Sequence, residues 1–254
     1  MKNKYFSMAV EGNEATVYIY GDIVSWEWLE SDISSYTLTH RIEVLEPVSL
    51  IHVHINSYGG EFAEGVAIYN ALRQHPAKVI TYDDAFACSA AVLPYLAGEE
   101  RIMYPSSSLF LHEVLTGNTG YAKDMRKCAD NLDTLTQLCI NAYLENVSID
   151  EAKIRELMEN ETFIIPEDAL EWGFATTIKR DSGTKSPSQS ARQALFSLVK
   201  ERMAQRQEEA NGGQEAEPEP QQTSEPQEQA QPGELEPENR VKPFLQALMG
   251  VKNQ

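Results

Sequence analysis

Three short β-branched runs, the second and third each followed by a polar or small-residue turn and then by helical spacing, constrain this chain more than any other feature. ATVYIYGDIV (15–24), VSLIHVHI (48–55) and KVITY (78–82) are rich in Val, Ile, Thr and Tyr and read as strands. The turn NSYGG (56–60) follows the second, and Phe62, Val66, Tyr69 and Leu72 then recur at helical spacing. The small-residue turn DAFACSA (84–90) follows the third and leads into the apolar stretch AAVLPYLAG (90–98), a helix that Pro94 is expected to kink or confine. Residues 101–104 and SLFLH (108–112) read as further strands. Strand, turn and helix in repetition predict an α/β architecture.

A long helix is predicted over about 121–146, with Met125, Leu132, Leu135, Leu138 and Tyr143 as its apolar stripe. Ser148 and Glu151 have capping-box spacing and predict the start of another helix. Pro166 opens a short one and Gly173 closes it. The folded domain is thereby expected to span 1–178. A linker and helix follow over 179–207, the latter on Leu195, Leu198, Val199 and Met203. The Glu/Gln/Pro tract over 208–239 has almost no apolar residues to offset chain entropy and is expected to be disordered. The last segment, 240–254, turns basic and apolar at Phe244, Leu245 and Leu248; a frayed terminus and a tethered docking peptide both fit it.

Charge and cysteine usage exclude several function classes. The net charge is −18, and residues 208–254 hold ten Glu against three Lys or Arg. With no long basic run, neither nucleic acid nor an anionic membrane is an expected partner. Cys88, Cys128 and Cys139 form no CxxC pair and are odd in number, which argues against a disulfide framework or zinc site. No run of about 18 apolar residues is present, and the N-terminal stretch lacks the apolar core of a signal peptide. The expectation is a soluble cytoplasmic protein without a metal or cofactor.

Ser89 lies where a strand gives way to a helix, among Ala85, Ala87, Cys88, Ala90 and Ala91. Small neighbours leave room for a carbonyl, and unpaired N–H groups at such a turn favour a developing oxyanion. Serines there also serve as ordinary helix N-caps. Gly59-Gly60 lets the backbone turn sharply and present its N–H groups to an anion, or makes a plain strand-to-helix turn. His112 ends the strand SLFLH, 23 residues after Ser89, and is a base of suitable pKa or a strand-end histidine. His40 and His75 stand in polar surroundings. His52 and His54 alternate along one strand face with no third ligand nearby, which favours a structural role over a metal pair.

Combination and order give these residues meaning. INSYGGEFAEGVAIYNAL (55–72), AFACSAAVLPYLAGEERIMYPSSSLFLHEV (85–114) and ETFIIPEDALEWGF (161–174) resemble stretches of the ClpP-type peptidases, including the ClpP-related proteases of tailed bacteriophages. The resemblance spans residues 17–178. It implies a ClpP/crotonase-like repeated β-β-α spiral with an extended handle helix. It implies Ser89 as nucleophile, His112 as general base, and the N–H groups of Gly60 and Ala90 as the oxyanion hole. The family's third triad member is an Asp; anchoring on Phe163 and Gly173 puts Glu161 in its place, with Glu159 and Asn160 as neighbours. The turn carries Tyr58 where the family often has proline. Homo-oligomeric rings and a protein or peptide substrate are implied as partners. The tail after the domain resembles phage head-maturation proteases, which act on scaffold and capsid precursors. A housekeeping-type proteolytic subunit, a crotonase-like acyl-CoA enzyme, a Ser-Lys peptidase using Lys78, and an inactive scaffold protein are the alternatives.

Overall fold

The computed structural model describes residues 8–27, 32–43 and 48–180, together with Ser197. The tract expected to be disordered and the terminal motif lie outside the described residues, as does the helix expected near 191–207 apart from Ser197. Elements run in the order β1 (Met8–Glu11), β2 (Glu14–Ile19), α1 (Ser35–Glu43), β3 (Leu50–Ser57), α2 (Phe62–Gln74) and β4 (Lys78–Cys88). A 3-10 turn (Ser89–Ala91), α3 (Val92–Leu96), β5 (Glu100–Met103), β6 (Ser108–Leu111) and α4 (Ala122–Leu144) follow. The described fold closes with α5 (Glu151–Glu159), β7 (Thr162–Ile164), α6 (Pro166–Glu171) and β8 (Thr177–Ile178).

The sheet has the order β1-β2-β3-β4-β5-β8, parallel from β2 onward, with β1 antiparallel at one edge. Alternation sorts its two faces. Val17 and Ile19 of β2 and Ile51, Val53 and Ile55 of β3 are fully buried and join one core with Leu38 of α1, Ile68 and Leu72 of α2, and Leu93 and Leu96 of α3. The opposite face carries Tyr18, His52, His54 and Asp84, each only half-buried. Among the described residues it carries polar and stacking contacts, His52 with Tyr82 and His54 with Asp84, Tyr18 and Tyr82.

β4 differs from its predicted form. The run expected to end at Tyr82 continues as strand through Cys88, so most of the predicted turn is sheet. The reason is non-local: residues 80–83 of β4 pair with β5, then 86–88 leave it and pair with β6, while Ala87 also lies beside Ser57 of β3. β6 in turn pairs antiparallel with β7. One strand thus links the main path of the sheet to the β6-β7 branch, and its end delivers Ser89.

One helix start differs from expectation. Asp150, not Ser148, caps α5, accepting the Lys153 N–H at 2.9 Å. Ser148 instead donates its N–H and hydroxyl to the carbonyls of Trp172 and Glu171. Pro94 falls in the first turn of the short α3, where N–H groups have no intrahelical acceptor, so it confines the helix without interrupting it. Pro166 does open α6 and Gly173 follows it with φ +84°.

Candidate active site

Ser89 sits at the junction of β4 and the 3-10 turn with φ 53°, in the left-handed region that non-glycine residues avoid. The half-exposed serine is flanked by buried Cys88 and Ala90. His112 directly follows β6, and because β6 pairs with the end of β4, the two side chains meet: Ser89 Oγ and His112 Nε2 are 2.7 Å apart. The other ring nitrogen, Nδ1, is 2.6 Å from the main-chain oxygen of Glu113. A carbonyl only accepts, so Nδ1 carries the proton and Nε2 is left as the acceptor of the serine hydroxyl. Burial pushes the imidazole below its ordinary value; the Glu113 carbonyl and the charges of Glu161 and Glu113 act in the opposite direction. Burial thus favours the neutral ring, the form a base requires.

Glu161 stands one residue beyond the C-cap of α5 with φ 46°. Among the described residues, Ser89 and Glu161 are the two non-glycine positions with positive φ. That position after a helix usually belongs to Gly or Asn. Its carboxylate reaches His112 through its charge, while the Nδ1 hydrogen bond goes to the Glu113 carbonyl.

The Gly59-Gly60 turn lies against Ser89. Gly59 has φ +92°, and a Cβ there would fall 2.5 Å from the Cys88 oxygen and 2.9 Å from the Ala90 nitrogen. Gly60 has φ +147°, and a Cβ would fall 2.0 Å from the Ile23 oxygen. Glycine is required at both by close backbone approach. Ile23 N–H donates to the Gly59 carbonyl at 2.9 Å, and Glu61 N–H to the Ile23 carbonyl at 2.8 Å. In a trans peptide the N–H opposes the C=O, so the Gly60 N–H faces away from Ile23. A hydroxyl beside a neutral imidazole and a turn of directed amides are the parts acyl transfer needs.

The other histidines have different surroundings. His52 Nδ1 is 2.9 Å from the Tyr82 hydroxyl and its Nε2 3.5 Å from Glu14. His54 pairs with Asp84 at 2.9 Å and stacks on Tyr82 at 4.4 Å between centroids. Among the described residues no cluster of three His, Cys, Asp or Glu is arranged to hold a metal. His40 stacks on Tyr36, and His75 accepts the Ala77 N–H through Nδ1. Lys78 is ion-paired with Glu100 at the far end of β4, roughly 36 Å along the strand from Ser89, which removes it as a partner base. The Glu113 carbonyl was not legible beforehand, since a main-chain acceptor leaves no mark in residue type.

A family model described as Clp protease matches residues 16–182. The chain belongs to the Clp protease family. A relative described as an ATP-dependent Clp protease proteolytic subunit, from Deinococcus radiodurans, is 30% identical over 130 residues, covering 50% of this chain and 64% of the relative. This chain thus matches somewhat less than two thirds of that relative's length. A point mutant of ClpP1 from Listeria monocytogenes has a similar fold, with a TM-score of 0.56 at 20% identity over 66% of this chain and 92% of that one. In the Clp protease member described here, the matched region contains Ser89, His112, Glu161 and the Gly59-Gly60 turn.

Proposed function

We propose that the protein is a serine endopeptidase, with Ser89 as nucleophile, His112 as general base and Glu161 as the carboxylate that favours the imidazolium. The observation that carries this is the 2.7 Å contact between Ser89 Oγ and an imidazole whose tautomer is set by the Glu113 carbonyl. Ser89 Oγ bonds to a peptide carbonyl carbon while its proton passes to His112 Nε2. The N–H groups of Gly60 and Ala90 hold the oxyanion; losing one such donor typically lowers the rate by about 10²–10³. The C–N bond then breaks, the leaving amine takes the proton from His112, and water releases the acyl group by the reverse sequence. Nothing in these steps calls for a metal or cofactor.

Membership of the Clp protease family supports this reading over a crotonase-like one. By analogy with the family, the working form is a homo-oligomeric ring acting on protein substrates, with α4 as its extended handle and the cytoplasm as its location. Two settings compete. The acidic extension past residue 182 and the Glu at position 161 favour a phage or prophage enzyme that cleaves scaffold and capsid precursors, and its own tail. The Deinococcus relative favours a housekeeping proteolytic subunit working with an unfolding partner. Mass spectrometry of the full chain beside Ser89→Ala, each incubated with casein and with a candidate capsid precursor, tests both. Cleavage by the wild type and not by Ser89→Ala is expected. Equal cleavage by the two proteins, or none in either even with an unfoldase present, would remove the peptidase assignment.

A further inference from the structure

We infer that Ser57 is a positioning residue for the oxyanion-binding turn of this site, an inference that rests on the peptidase reading. Ser57 is the last residue of β3 and is 2% exposed. Its hydroxyl donates to the Gly21 carbonyl at 2.5 Å and accepts the Gly59 N–H at 3.0 Å. A hydroxyl with one proton is thus committed in both directions: its donor to the loop after β2, its acceptor to the turn. It is also beside the nucleophile, because Ser57 pairs with Ala87, two residues before Ser89.

The turn needs such a tie. Gly59 and Gly60 both lie at positive φ, where glycine has wide freedom, and rotating the peptide between them would swing the Gly60 N–H away from the reacting carbonyl. Ile23 holds the carbonyl side of that peptide. Ser57 holds the preceding one, so the peptide units on both sides of the Gly59 Cα are fixed, and with them the direction of the Gly60 N–H. The Ile23 contact is main-chain to main-chain and survives substitution; the Ser57 contact is made by a side chain and is the one residue type controls. Ser57 touches no substrate atom, so its effect is on orientation of a donor that acts most strongly in the transition state.

The test is steady-state hydrolysis of a fluorogenic peptidyl-aminocoumarin by the full-length protein, as wild type, Ser57→Ala, Ser57→Thr, Ser57→Cys and Ser89→Ala. Ser57→Ala is expected to lower kcat about tenfold, less than outright loss of a donor, with KM changed by less than twofold. A peptide boronic acid, which needs the same amides, should lose affinity by a similar factor. Ser57→Thr keeps the hydroxyl and should recover most of kcat. Wild-type kcat in Ser57→Ala, or a raised KM at unchanged kcat, overturns the inference. Should Ser57→Ala not fold, Ser57→Cys decides by the same criterion, its thiol being a poorer acceptor of the Gly59 N–H. Turnover that persists in Ser89→Ala defeats the peptidase reading itself; turnover lost in Ser89→Ala and intact in Ser57→Ala defeats only the role of Ser57.

Discussion

Ser89 and Glu161 occupy backbone conformations that typically cost about 1–3 kcal/mol each for residues with a side chain. Such strain persists where surrounding structure over-determines it, and here both strained residues act on one imidazole. Replacing Glu161 by Gly should therefore separate stability from activity. The variant is expected to be about 1 kcal/mol more stable, the left-handed position now being unstrained, and to turn over peptide more slowly; urea unfolding and initial rates on one preparation check this. His112 gives a pH prediction. Its pKa in the folded protein is below the ordinary 6.5, because burial disfavours the imidazolium. The acid limb of kcat/KM should have its midpoint below about 6.5, and Glu161→Gln, which removes a charge that raises the pKa, should move it lower still. The linked stability has a definite sign: it is fully present above the unfolded value and is lost as pH falls through the folded one.

At the scale of elements, β4 determines the site. It pairs with β5 along its first half and with β6 along its second, and only the second pairing brings His112 to Ser89. Asp83 lies at the exchange point, fully buried, with neither carboxyl oxygen in good hydrogen-bonding geometry. Burial drives its pKa well up; the nearby Ser107 hydroxyl and the Ala85 and Ser108 amides offset only part of this. A raised carboxyl pKa means stability present below the unfolded value of 3.8 and lost as pH rises through the folded one. Asp83→Asn, which keeps the shape without the ionisation, is expected to flatten the decline of the thermal midpoint with rising pH. An unchanged slope by calorimetry would show that Asp83 is not its source. The strand-to-helix rhythm was legible because it is written in residue type, whereas the second half of β4 was not: DAFACSA has the composition of a turn, and only pairing on both sides makes it a strand.

For the whole molecule, the buried apolar residues among those described run from Ala15 to Ala175, and all but Ala15 fall within residues 16–182, the stretch that matches the Clp protease family. The core among the described residues is expected to be stable without the acidic extension. A chain ending at residue 182 is expected to keep its thermal midpoint within about 3 °C of the full-length protein, equivalent to roughly 1 kcal/mol. A large drop by calorimetry would place part of the core's support in residues 183–254. The same truncation, assayed on a small peptide and on a capsid precursor, separates catalysis from substrate delivery. Equal peptide rates with loss of precursor cleavage would assign the extension to recognition.

The sequence by itself determined most of the strands and helices, though not β1, α1, β7, β8 or the second half of β4, and it determined where the glycine turn and the serine turn lie and which histidine closes a strand. Those follow from side-chain chemistry repeated at fixed spacing, a property of neighbours along the chain. Tertiary structure alone decided the exchange of partners along β4, the meeting of Ser89 with His112, the Glu113 carbonyl that sets the tautomer, and the left-handed backbone at residues 89 and 161. The first two depend on pairing between segments distant along the chain, and the last two on main-chain conformation and main-chain acceptors, which residue type does not record.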